Sequence, residues 1–198
     1  MKKTLTVILA LVLVVVMSVA GTVAYLTSTK TVTNTFTVGK VEITLDETKV
    51  DEYGAAITGE QAGRVTANTY KLIPGHSYIK DPVVHVAADS ENCWVFVKVT
   101  NEIDAIEAPA SATDPVYVQI NQQITNNGWT ALEGKPGVYY MTYTKGQTDK
   151  DLEVFQSFKV AGNADISTYA GKTIVINAYA IQSDGFGTAS AAWTEVSK

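Results

Sequence analysis

Metal chemistry in this chain would have to pass through two histidines, His76 and His85. The His-Glu-x-x-His spacing that lets one helix face hold zinc is absent, and no third ligand presents itself. Gly75-His76-Ser77 opens like the nucleophile elbow of a serine hydrolase, but Ile79 stands where the closing glycine belongs and no helical pattern follows. Carboxylates gather at Asp46, Glu47, Asp51 and Glu52, at Asp89 and Glu91, and at Asp149, Asp151 and Glu153. The last set alternates, so an extended chain points all three one way, as a hard-cation site would need. The calcium-loop motif with its glycine and terminal glutamate is missing. Cys93 is the single cysteine; it cannot form an internal bridge, and its strand-like surroundings suit a small buried hydrophobe. Ten tyrosines and three tryptophans suggest sugar stacking, yet Tyr117, Tyr139, Tyr140, Tyr143 and Tyr179 fall in strand patterns where aromatics pack anyway. These residues predict no catalytic site, no metal and no cofactor.

The elements around them are extended. Period-2 alternation recurs along the chain, and a helical period rarely lasts more than a few residues. Strands are expected at Tyr70–Ile73, Val83–Ala87, Cys93–Thr100, Val116–Ile124, Trp129–Leu132, Val138–Thr144, Val154–Val160 and Ile174–Ile181. Cys93, Val95, Val97 and Val99 share one face, and Trp94 and Phe96 the other, so this strand reads as central and buried on both sides. Ile73-Pro74-Gly75-His76 has the chemistry of a type II turn. Short helices are expected at Glu102–Ala108 and Thr188–Glu195, and a long loop from Asp46 to Asn68. The pattern predicts an all-β fold, a jelly-roll-like two-sheet sandwich with short helical covers.

At the N-terminus, Lys2 and Lys3, an apolar run from Leu5 to Val16 and small residues at Ser18, Ala20, Gly21 and Ala24 follow the grammar of a secretory signal peptide. Ser18-Val19-Ala20 and Thr22-Val23-Ala24 both fit a peptidase; the second places the cut between Ala24 and Tyr25. A retained membrane anchor is the rival reading, because the run approaches the roughly 18 residues of a span. Removing residues 1–24 takes away two lysines and no acids, so the formal charge moves from -5 to -7. No Lys/Arg-rich run remains, which argues against nucleic acid as a partner.

Beyond the expected cut, Thr27, Thr29, Thr31, Thr33, Thr35 and Thr37 occupy every second position. The opposite parity carries Leu26, Ser28, Lys30, Val32, Asn34, Phe36 and Val38, so an extended arm has one hydroxyl face and one face whose apolar members need a partner surface. After Val38 the apolar parity switches from even to odd (Val41, Ile43, Leu45), which predicts a bulge or hinge at Gly39.

Several ordered strings carry a resemblance: Gly21-Thr22-Val23-Ala24-Tyr25, Asn34-Thr35-Phe36-Thr37-Val38-Gly39, Val41-Glu42-Ile43, Tyr78 to Val84, Ser90 to Val99, and Ala178-Tyr179-Ala180-Ile181-Gln182. Together they resemble the TasA/camelysin family of Gram-positive secreted proteins. The resemblance implies a signal peptidase as processing partner, export to the cell surface or extracellular matrix, a jelly-roll domain, and biofilm-matrix fibres. In such fibres the N-terminal strand of one subunit completes the sheet of the next. Leu26, Val32, Phe36 and Val38 would be the side chains delivered, on an arm about 40 Å long at roughly 3.3 Å per residue. The expected partner is therefore the chain itself, head to tail, with other matrix proteins beside it and membrane contact only through an uncleaved signal. A camelysin-like metallopeptidase and a monomeric glycan-binding adhesin are the competing expectations. No recognisable zinc motif supports the first.

Overall fold

The computed structural model describes residues 39–111, 116–148 and 150–198. The chain divides into two units, Met1–Val38 and Gly39–Lys198, and the described residues all lie in the second. They form a mostly β structure with ten strands in three sheets and two short helices.

The first sheet runs β2 (Arg64–Val65), β1 (Ile43–Thr48), β4 (Val83–Val86), β8 (Asp151–Glu153). The second runs β10 (Ile174–Gln182), β5 (Cys93–Asn101), β7 (Val138–Tyr143), β6 (Thr130–Ala131). A two-stranded sheet pairs β3 (Ser77–Ile79) with β9 (Ser157–Lys159). All the pairings are antiparallel. Alternation explains the layering: Val84 and Val86 of β4 and Leu152 of β8 point into the same core as Cys93, Val95 and Val97 of β5, with Tyr78 and Phe158 of the small sheet stacked at 4.7 Å inside it. The other face of β5 carries Phe96, covered by α2 (Ala189–Val196), whose Trp193 packs at 5.4 Å from Phe96 and 5.2 Å from Tyr179. Thr188 caps α2 by accepting from the Ala191 N–H at 3.2 Å, the geometry expected of a hydroxyl N-cap. Both faces of the β5 strand are thus buried, as its sequence predicts.

Several expectations need correction. Val116–Ile124 is not a strand: α1 (Ile120–Asn126) begins inside it, because Ile120 and Ile124 meet the core one helical turn apart. The Gln123 side chain fixes the start, donating to Val118 O at 2.6 Å and accepting from Gln156 N at 2.9 Å. Asp46–Asn68 is not one long loop; β1 continues to Thr48, Val50 bridges Ala56, and β2 returns along Glu47 and Thr48. Tyr70–Ile73 lies outside the sheets, tied down by the Tyr78 hydroxyl, which donates to Lys71 O and accepts from Ile73 N. Within Val154–Val160 only Ser157–Lys159 forms a strand, with Val160 bridging Glu107, and Glu102–Ala108 contains a single 3-10 turn at Asp104–Ile106. The Pro74-Gly75 turn is as expected: Gly75 has φ +80° and His76 N donates to Ile73 O at 3.1 Å.

Candidate functional site

Strand β1 decides where the two large sheets part. Its odd residues turn inward, so Ile43 and Leu45 join the core and the next inward position is Glu47, a buried carboxylate. Between Ile43 and Asp46 this strand pairs β4 on one side; β2 covers the other side only at Glu47 and Thr48. On the second sheet, β10 pairs β5 along all nine residues and ends the sheet. Among the described residues no strand covers β1 between Ile43 and Asp46 or the outer side of β10, and these two edges lie beside each other. Their Cα traces come within 8 Å, yet no strand pairing joins them.

A seam follows these edges. Its wide part is a groove of about 710 Å³ between Leu45–Glu47 and Ile174–Ile176, with Phe158 and Ile103 among the residues that line it. It continues past Leu45 and Ile176 as a shallower depression of about 290 Å³ beside Ile43 and Ala178. The walls are apolar and half-buried: Ile43, Leu45, Leu72, Ile174, Ile176 and Ala178 reach the main core without being closed over by it. Val175, on the outer parity of β10, is 41 % exposed.

One polar station interrupts the apolar wall. Lys80 Nζ donates to Glu47 Oε2 at 2.6 Å, with side chains only 9 % and 7 % exposed. Asn68 Nδ2 donates to Glu47 Oε1 at 2.9 Å and to Thr48 O at 2.8 Å. Tyr70, hydrogen-bonded to Ile79 O, has its phenol pushed up by burial and then by the Glu47 charge. An ion pair this buried persists because each charge is hydrogen-bonded to the other.

Outside the groove, a second network braces the same strand. Arg64 pairs with Asp46 through Nε and reaches Asp81 Oδ2 at 3.4 Å, while Thr48 donates from N and Oγ1 to the Asp81 carboxylate at 2.7 and 2.6 Å. His85 lies between two carboxylates, Nε2 to Asp46 Oδ1 at 2.9 Å and Nδ1 to Asp151 Oδ1 at 2.7 Å, and so ties β4 to β1 and β8. Burial works to lower the His85 pKa, but the hydrogen bonds to Asp151 and Asp46 outweigh it and hold it above the ordinary value. For Asp46, burial pushes upward and the Arg64 and His85 contacts prevail, holding the carboxyl low.

The residues singled out in the sequence scatter. His76 contacts Tyr53 O at 2.9 Å through Nε2, whereas His85 is held by Asp46 and Asp151, so the two histidines have separate partners. Among the described residues no group of three histidine, cysteine or acidic side chains is placed to hold a metal. Of the alternating acids, Asp151 serves His85, Glu153 Oε1 accepts from Asn127 and Gln156, and Asp149 lies outside the described residues. Ser77 lies in β3 against Lys159. Cys93 is fully buried and burial pushes its thiol up to about 11, the signature of a packed hydrophobe rather than a nucleophile. Trp129 and Trp193 are buried, and the exposed Tyr53 ring lies under the Lys71 ammonium at 5.6 Å. Gly39 is described. It stands ahead of the β1–β4 ladder, and a Cβ there would meet Glu91 Cγ at 2.9 Å. Ala24, Tyr25, Leu26, Val32, Phe36 and Val38 lie outside the described residues. Among the described residues no helix is long and apolar enough to cross a membrane.

Sequence reasoning placed Glu47 in an acidic cluster and missed that it turns inward to pair with Lys80. The signal for Glu47 was present: the odd parity of Val41, Ile43 and Leu45 runs straight on to it. No family model, curated protein or solved structure matches this chain. The seam and its chemistry therefore carry the functional argument by themselves.

Proposed function

We propose that this chain is an exported structural subunit that polymerises by strand addition. Its signal peptide is removed near Ala24, and the arm that follows, Tyr25–Val38, enters the seam between β1 and β10 of another copy. On this reading the two large sheets are those of a jelly roll, and the product is an extracellular fibre of the kind the TasA/camelysin resemblance implies. The observation that carries the proposal is a seam flanked by two strand edges and walled by half-buried apolar residues, set against an arm of the same chain whose alternate residues are apolar. Strand addition supplies main-chain hydrogen bonds, and side-chain pockets supply selectivity. Fully burying Val32, Phe36 or Val38 contributes about 1.5–3 kcal/mol each. Gly39, where the two units of the chain meet, is the hinge at which the arm departs. A contact of this kind is heterologous and does not close, so open filaments result.

Two chains test it, one beginning at Tyr25 and one at Gly39. The longer forms filaments seen by electron microscopy and sedimentation; the shorter stays a folded monomer. Filaments of equal yield from the shorter chain would overturn the proposal.

A further inference from the structure

Resting on that reading, we infer that the Glu47–Lys80 pair is a register key: Asn34 of one copy docks against it in the next. The arm is thereby fixed antiparallel to β1, with Phe36 beside Leu45 and Val38 beside Ile43.

The apolar parity of the arm contains a flaw. Asn34 sits between Val32 and Phe36, so a strand that buries those two turns an amide inward as well. A buried amide without partners is costly, and it needs both an acceptor and a donor. The groove offers both. Glu47 Oε2 and Oε1 are acceptors with lone pairs beyond those used by Lys80 and Asn68. Among the described residues the Lys80 ammonium donates to Glu47 alone, leaving two of its three N–H groups for a ligand. The Asn34 carbonyl suits Lys80 and its amide N–H suits Glu47.

The neighbours then set the direction. Glu47 lies one inward position beyond Leu45 and two beyond Ile43. Main-chain pairing of the arm with β1 stops short of Glu47, because β2 holds that edge at Glu47 and Thr48. An antiparallel arm with Val38 at Ile43 near Ala178 and Phe36 at Leu45, where Ile176 forms the opposite wall, carries Asn34 on into the wide part of the groove, against the Glu47 and Lys80 side chains. Parallel pairing would instead bring Lys30 to Ile43 and bury a cation with no counter-charge. A slip of two residues either way sets a valine or phenylalanine on the ion pair and leaves Asn34 on an apolar wall.

The key works only between copies. From Gly39 the chain is bound in line with β1: Ala87 N donates to Glu42 O at 2.9 Å, one step beyond the β1–β4 register, and Glu91 N donates to Lys40 O at 2.9 Å past the turn that follows Ala87. Glu47 is eight residues along this extended path, about 26 Å from Gly39. Asn34 is five residues away on the other side, a reach of at most about 18 Å. An arm folded back on its own subunit therefore cannot bring Asn34 to Glu47.

Cysteine pairs in the chain beginning at Tyr25 test the register. Under mild oxidation Phe36→Cys with Leu45→Cys gives intermolecular disulfides about tenfold in excess of Asn34→Cys or Val38→Cys with the same Leu45→Cys partner. Adding Asn34→Val to the first pair, or Glu47→Gln with Lys80→Met, which leaves the arm untouched, brings its yield down toward that of the slipped pairs. A different pair dominating, or a yield unmoved by both changes, overturns the register key while strand addition stands. No intermolecular disulfide from any pair along the seam overturns strand addition and the key together.

Discussion

Replacing Lys80 by methionine isolates the groove's ion pair. Methionine keeps most of the volume of the lysine stem, so packing changes little. What changes is charge: Glu47, with a side chain only 7 % exposed, loses its counter-ion and, among the described residues, keeps Asn68 alone as a side-chain donor. Removing one partner of a buried pair costs about 3–5 kcal/mol, a large share of the roughly 5–15 kcal/mol that holds an ordinary domain together. The double variant Glu47→Gln/Lys80→Met removes both charges and keeps an acceptor for Asn68, so it falls within about 1 kcal/mol of the parent. Equilibrium urea unfolding of the chain beginning at Gly39, which contains every buried residue of both core clusters, reads the difference. With a slope of about 2 kcal/mol/M, the single variant shifts the midpoint by roughly 1.5–2.5 M and the double variant by less than about 0.5 M. A single variant within about 0.5 kcal/mol of the parent would refute the reasoning, because it would mean the pair is solvated and the groove floor is wet.

The His85 brace makes stability depend on pH. Its folded-state pKa lies above the ordinary 6.5, so its contribution is complete below that value and is lost as pH rises through the folded value; Asp46, held below 3.8, contributes above 3.8 and fails on acidification. Unfolding of the parent across pH 5 to 9 therefore shows a decline on the alkaline side that His85→Gln flattens; identical profiles would dismiss the brace. Gly54 has φ +77°, and a Cβ there would lie 2.8 Å from Tyr78 Cα, whereas Gly146 has φ +83° and open space. Gly146→Ala accordingly costs about 1–2 kcal/mol of backbone strain and Gly54→Ala at least about 1 kcal/mol more through overpacking, an order that thermal unfolding checks.

Long, strongly patterned elements were legible in the sequence and short ones were not. β5, β7 and β10 hold their alternation over six to nine residues, and each is found within a residue or two of its expected limits. α2 was legible because Thr188 caps it and alanines fill it. α1 was not: Val116, Val118 and Ile120 alternate as a strand would, and what favours the helix is tertiary, the burial of Ile120 with Ile124 and the grip of Gln123 on Gln156 and Ser157. β3 and β8 have three residues each, too few for any period to register. The seam was half legible. The arm announced that it needed a partner, but the partner edges come from β1 and β10, about 130 residues apart in sequence, and no local pattern reports such a meeting.

The width of the seam sets a condition on the proposed assembly. A strand bonded to both edges needs them about 9.6 Å apart, twice the spacing of paired strands, and β1 and β10 approach within 8 Å. In the proposed assembly the arm therefore has to part the two strands where they lie closest. A long edge with no partner among the described residues, such as that of β10, invites any exposed strand to pair. Here the invitation is narrowed twice: an incoming strand must first displace the apolar contacts across the seam, and it recovers that cost only by filling the walls with its own apolar residues while satisfying Glu47 and Lys80. A strand of generic alternation meets the first demand and fails the second. On the proposed reading, Asn34 in the apolar parity of the arm and Glu47 in the inward parity of β1 are matched exceptions to the same rule, and their match would separate ordered addition from aggregation.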